Sequence, residues 1–177
     1  IGDGKRGDVG NAAEAYARAF FEVWGFDAAT VNAYGGHDTI QPFLEYPERG
    51  VFIWCRSSNL GAGDLQDLTF GGGGEGGAMY EHIAVKAREW NDRGNVGLVV
   101  GATYPRELEA VRRLCPEMPI LIPGVGAQGG GLEASVASGV DSQGRRAIIS
   151  SSRQVLYASG GDDFAQAARR VAMSLKE

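Results

Sequence analysis

Short apolar runs alternate along the chain with longer segments whose apolar positions recur every three to four residues. This alternation predicts parallel βα units rather than hairpins. Six units can be traced, with strands at 1–3 (only the end of one), 28–32, 51–56, 96–100, 120–122 and 146–150. Helices are expected at 11–24, 38–46, 78–92 and 105–114, then after the glycines that end near 131, and last at 163–175. Asn11 with Glu14 three residues on has the form of a capping box, and Pro105 suits a first helical turn.

A βα unit takes about 30 residues, so six occupy about 180, whereas an eight-unit barrel needs about 250. The expected architecture is therefore α/β, a (β/α)₈ barrel of which residues 1–177 form one domain. The chain would supply strands 3 to 8 and lack roughly the first two units. That arrangement leaves two parallel strand edges to be paired by another polypeptide segment.

The 177 residues are 44% hydrophobic and 22% charged, enough apolar material for a core. A net charge of -5 provides no broad basic field, which argues against nucleic acid as a partner but leaves room for local cations around one phosphate. No apolar run approaches the roughly 18 residues of a membrane span, and the opening Ile1-Gly2-Asp3 shows no targeting leader. Cys55 and Cys115 lack metal-ligand spacing and are expected to be reduced structural thiols in a cytoplasmic protein. With only His37 and His82 present, no His-rich metal site is expected, and His37 reads as a loop residue.

Four segments carry candidate chemistry. In Asp3-Gly4-Lys5-Arg6-Gly7-Asp8, residues two apart on an extended strand point to one side, so Asp3 and Lys5 would face the barrel mouth with Asp8 arriving from the following turn. The motif reads either as two acids holding an ammonium for chemistry or as an ion-pair network at a strand end or a solvated turn. Pro123-Gly124-Val125-Gly126-Ala127-Gln128-Gly129-Gly130-Gly131 follows an apolar strand, and its glycines could bring several backbone N–H groups to one anion. Ser151-Ser152-Arg153 ends the next strand, with Arg153 able to fork onto phosphate oxygens, where barrels of this kind hold phosphate; a plain turn and a surface Arg is the bland reading. Ser57-Ser58-Asn59-Leu60-Gly61 offers short hydrogen-bonding side chains that suit the amide edge of a base or a simple cap. Residues 71–77, glycine except for Glu75, read as a passive connection or as a lid.

Together these stretches resemble the orotidine 5'-monophosphate decarboxylase family, particularly its bacterial branch with the signatures DxKRGD, SNxG, PGxGAQGG and SSR, in order over nearly the whole chain. The resemblance implies that Asp3 and Lys5 belong to a catalytic charge array and that Asp8 completes it by reaching across a homodimer interface. It further implies that Ser58 recognises the pyrimidine, while Gln128 and Arg153 hold the phosphate, helped by backbone near Gly126 and Ser152 and by the turn at Pro123. The family's remaining Asp and Lys would precede Ile1, Ala12 stands where Thr is common, and Leu60 stands where Pro is common.

The implied reaction converts orotidine monophosphate to uridine monophosphate and CO₂ without cofactor or metal. Lys5 would stabilise the charge left at C6 and then donate the proton. Two other readings stay open: a metal-dependent sugar-phosphate aldolase or epimerase on the same barrel, and a non-catalytic phosphate-binding fragment.

Overall fold

The computed structural model describes residues 1–70, 77–126 and 129–176. Six strands form one parallel sheet in chain order: β1 (Gly2–Arg6), β2 (Ala28–Val31), β3 (Gly50–Arg56), β4 (Val96–Val100), β5 (Ile120–Pro123) and β6 (Ala147–Ser150). Sequential pairing requires a crossover after every strand. Four of the helices that make them are α1 (Gly10–Arg18), α4 (Met79–Glu89), α5 (Pro105–Leu114) and α6 (Leu132–Gly139). The short helices α2 (Gln41–Leu44), α3 (Gly63–Gln66) and α7 (Arg153–Leu156) sit in the connections, and α8 (Phe164–Ser174) closes the order. The six βα units expected from the apolar pattern are all present.

Alternation along the strands separates two apolar layers. Val51, Ile53 and Cys55 of β3 and Val96, Leu98 and Val100 of β4 face the helices, where they meet Phe20 and Phe21, Phe43 of α2, Ala84 and Ala87 of α4, and Leu108 and Val111 of α5. The intervening Phe52 and Val99 join Ala28, Trp54 and Leu121 on the opposite face. Gly97 lies under Phe52, whose ring atoms stand 2.6 Å from where a Cβ would project, so a side chain there has no room. Each fully buried aliphatic or aromatic side chain contributes roughly 1.5–3 kcal/mol, so the helix-facing layer dominates the stability.

Several boundaries differ from expectation. No side chain caps α1: its N-cap is Val9, and Asn11 falls inside the first turn. The expected Asn11–Glu14 capping box is therefore absent. Half of one forms instead at α4, where Glu81 accepts the Ala78 N–H at 2.8 Å. Helix α1 continues as a π turn over Ala19–Val23, and the segment expected as one helix at 38–46 divides into a 3₁₀ turn, His37–Thr39, and α2. Strand β1 extends to Arg6, beyond the expected end at Asp3. Strand β6 starts one residue late because Arg146, at φ 66°, closes the turn whose Asp141 carboxylate accepts the Gln143 and Arg145 N–H groups. His37 stacks near Trp90, with ring centroids 5.3 Å apart, as a loop residue would.

Candidate active site

The sheet curls enough for its two edge strands to share one cavity. About 290 Å³ in volume, it lies at the C-terminal ends of the strands. Asp3 and Lys5 of β1 line it, as do Trp54, Arg56, Ser57 and Ser58 from β3 and the residues after it, Val99 of β4, Pro123 to Val125, and Ser150, Ser152 and Arg153 at the end of β6. Of the residues singled out in the sequence, Asp3, Lys5, Ser58, Pro123, Ser152 and Arg153 are thus brought together.

The charged motif sits on a local distortion. Gly2 pairs with Ala29 and Arg6 with Val31, so four steps along β1 match two along β2. Lys5 takes up the excess at φ 45°, a left-handed conformation uncommon for a residue with a Cβ. Its N–H, turned out of the regular ladder, donates to Thr30 Oγ1 at 3.0 Å, and the Thr30 hydroxyl donates to Asp3 Oδ1 at 2.8 Å. Lys5 Nζ donates to the same Asp3 oxygen at 2.6 Å and stands 6.0 Å from the centroid of the Trp54 ring. Burial pushes the Asp3 carboxyl up, but hydrogen bonds from Lys5 and Thr30 and the Lys5 charge outweigh it and hold it below the usual carboxylate range.

The Lys5 and Asp3 side chains are 34% and 62% exposed, and so open an ion pair contributes at most about 1 kcal/mol. A non-glycine residue held at positive φ costs about 1–3 kcal/mol. The ion pair alone therefore does not offset the strain at Lys5.

At the other side, β5 and β6 carry the glycine loop and the Ser-Ser-Arg turn side by side, Pro123 pairing with Ser150 and the Ser151 hydroxyl reaching the Val125 carbonyl at 3.5 Å. Ser152 and Arg153 are exposed at the rim. Gly126 departs from expectation, because it is not in the cavity wall and its N–H donates to the Gly130 carbonyl at 2.9 Å. The Gly129 and Gly130 N–H groups are likewise taken by the carbonyls of Gly126 and Gly124. Among the described residues, these three amides are therefore taken by the loop's own turn. Gln128, like residues 71–76 of the glycine-rich segment, lies outside the described residues. Asp8 also lies outside the cavity wall, exposed beyond the end of β1 with its Oδ1 accepting the Val9 N–H at 2.8 Å.

Three contributors escaped the sequence reading. Thr30 and Trp54 sit in apolar strands and look like core residues until the pairing of β1 with β2 and the inward face of β3 are known. Arg56 left a trace, as a lone charge ending the apolar run Val51-Phe52-Ile53-Trp54-Cys55.

The family described as "Orotidine 5'-phosphate decarboxylase / HUMPS family" matches residues 1–171. The orotidine 5'-phosphate decarboxylase of Cellvibrio japonicus is 53% identical over 176 residues, which are 99% of this chain and 63% of that protein. That of Janthinobacterium is 51% identical over 99% of this chain and 64% of its own length. The chain thus spans less than two thirds of these curated relatives. Among solved structures, Leishmania donovani OMP decarboxylase superposes with a TM-score of 0.85 at 38% identity, covering 98% of this chain and 66% of that one.

Proposed function

This chain belongs to the orotidine 5'-phosphate decarboxylase / HUMPS family, and on that premise we propose that its cavity decarboxylates orotidine monophosphate to uridine monophosphate in pyrimidine biosynthesis. The observation that carries this reading is the Lys5–Asp3 pair opening into the same cavity as Ser152 and Arg153. Phosphate held at Arg153 and Ser152, with Gln128 assigned the same role by the family resemblance, fixes one end of the nucleotide. The base then lies toward Ser58, and C6 lies toward Lys5.

Loss of CO₂ leaves an electron pair on C6. The Lys5 ammonium lowers the energy of that carbanion and then delivers a proton to it, so the chain's own residues account for both charge stabilisation and protonation. Asp3, held ionised, keeps Lys5 charged and aimed. Phosphate binding at the far rim is remote from C6, yet its binding energy helps to hold the reacting carbon against Lys5.

Three further features belong to the same reading. Asp8, exposed past Gly7, suits a role in the neighbouring site of a homodimer. The edges of β1 and β6 leave room for two more parallel strands, with Ile1, Val23 and Trp24 at least half exposed along the β1 side. A segment filling that gap would close an eight-stranded barrel. Cys55 and Cys115, buried and unpaired, suit a reducing cytoplasm.

The test is orotidine monophosphate consumption without added metal, by the chain alone and joined to a segment that closes the sheet. Lys5→Ala is expected to lower turnover by several orders of magnitude while uridine monophosphate binding changes little. Near-normal turnover in that variant refutes the role of Lys5. Activity abolished by a chelator points instead to a metal-dependent aldolase or epimerase, and binding without turnover in both forms points to a non-catalytic phosphate-binding protein.

A further inference from the structure

Arg56 is the one large cationic side chain in the cavity wall that the mechanism above does not use. It is 1% exposed, and its Nε has no hydrogen-bond partner among the described residues. The rest of the guanidinium is committed: Nη2 ion-pairs with Asp67 at 3.1 Å, and Nη1 donates to Gln66 Oε1 at 3.2 Å and to the Ser57 carbonyl at 3.3 Å. The Tyr104 ring covers it, 3.9 Å from Cζ to the centroid. The guanidinium is buried while its Asp67 partner is half exposed, and one donor is left unmet, so the ion pair repays little of the desolvation of Arg56.

Two of its partners, Gln66 and Tyr104, also hold residues 57–59. Gln66 Oε1, which accepts from Arg56, also accepts the Ser57 N–H at 2.8 Å. The Tyr104 hydroxyl donates to the Asn59 carbonyl at 3.2 Å, and the Thr103 hydroxyl donates to the Ser58 carbonyl at 3.0 Å. Gly101 lies so close beneath that a Cβ there would stand 2.7 Å from the Ser58 backbone nitrogen. A step of irregular pairing, Trp54 with Val99 but Arg56 with Val100, directs the chain into this clamp. The guanidinium thus ties helix α3, through Gln66 and Asp67, and the ring at the start of α5 to one short segment, whose middle residue is Ser58.

We propose that Arg56 is a positioning residue for base recognition: with Gln66, Asp67 and Tyr104 it fixes the Ser57–Asn59 backbone so that Ser58 meets the pyrimidine in a preset geometry. The inference rests on the nucleotide reading of the cavity. Arg56 acts through the Ser57–Asn59 backbone, so its effect is confined to ligands that carry a base. Lysine is not an adequate substitute, because an ammonium cannot fork between Gln66 and Asp67 and stack on Tyr104 at once.

The experiment measures the dissociation constants of uridine monophosphate and ribose 5-phosphate for the full chain, for Arg56→Lys and for Gln66→Ala, together with each thermal midpoint. Gln66→Ala, on the short peripheral α3, carries the test if Arg56→Lys does not fold. The original chain is expected to prefer uridine monophosphate, and each folded variant to lose about tenfold of that affinity, the loss of about one well-made hydrogen bond, while ribose 5-phosphate binding stays within about twofold. Equal losses for both ligands overturn the inference in favour of a general structural role. Unchanged uridine monophosphate binding overturns it too, with the nucleotide reading intact. An original chain that does not distinguish the two ligands defeats the nucleotide reading itself, and the inference falls with it.

Discussion

Arg112 shows how much a single side chain can organise when its surroundings are built from carbonyl groups. It is 8% exposed, and burial lowers its pKa from the ordinary guanidinium value, yet its donors are satisfied by backbone alone. Nε and Nη2 donate to Gly139 at 2.9 and 2.7 Å, and Nη1 donates to Met118 at 2.7 Å and to Cys115 at 3.0 Å. Nη2 also reaches the Arg146 carbonyl at 3.1 Å. These carbonyls end α5, lead into β5, end α6 and lead into β6, so one planar fork fixes two consecutive crossovers at the end of the sheet opposite the cavity. Arg112→Met removes the fork and leaves several buried carbonyls unmet, at about 1–3 kcal/mol for each group left unsatisfied. The expected loss in a urea titration is about 3 kcal/mol or more. The neighbouring Arg113–Glu109 pair, whose side chains are 67% and 58% exposed, should give less than about 1 kcal/mol when broken. Similar losses at the two positions would contradict the assignment.

Among the elements, α4 is held by two thiols that the sequence presents as unremarkable core cysteines. Cys55 on β3 donates to the Tyr80 carbonyl at 3.1 Å, and Cys115 after α5 donates to the Ala84 carbonyl at 3.3 Å. Burial raises both thiol pKa values, that of Cys115 to about 11 and that of Cys55 further. An unfolded thiol ionises near about 8.5. A group whose folded pKa is raised contributes stability that is complete below its unfolded pKa and is lost as pH rises toward the folded one. The chain should therefore lose stability between about pH 8.5 and pH 11, and Cys55→Ala with Cys115→Ala should flatten that part of a pH series of denaturation midpoints; an equally steep decline in the double variant would exclude the thiols as its cause. The elements themselves were largely legible, because buried parallel strands such as Val96–Val100 are continuous apolar runs and α5 has a strong apolar stripe opened by Pro105. What escaped were features set by neighbours distant in sequence. The left-handed turn at Lys5 depends on Thr30, 25 residues away, and the helix α3 that Arg56 grips has only four residues, too few to show a period. In the candidate site, Asp3, Lys5, Ser58 and Arg153 were legible because charged or polar groups at strand ends stand out against apolar runs. The hydrogen-bonding state of the Gly126 amide was not, since glycine spacing says that a backbone can turn but not which carbonyl it will meet.

Among the exposed apolar side chains, which also include Val9, Leu156, Tyr157 and Phe164, two groups stand near the candidate site. One is the open side of β1, with Ile1, Val23 and Trp24; the other lies at the cavity end, where Tyr34, Leu60, Leu65, Leu68 and Phe70 are all more than half exposed. Tyr34 and Leu65 share a depression with Asn32, Trp54 and Gln66, so this second surface adjoins both the segment that carries Asp8 and the α3 clamp on Ser58. Large apolar groups concentrated at one face of a folded chain mark an association surface. We propose that the homodimer pairs through this surface, with Asp8 of one copy serving the cavity of the other. Leu60→Asp combined with Leu65→Asp places two carboxylates on that surface without touching a strand. Sedimentation equilibrium should then show the mass of one chain where the original sequence is expected to show two. Turnover should fall with the dimer, because Asp8 would no longer reach its neighbour, whereas the thermal midpoint should move by only about 1 kcal/mol equivalent or less beyond the loss of association. A double variant that still sediments as a dimer, or an original chain that is monomeric while fully active, would remove Asp8 from the shared site.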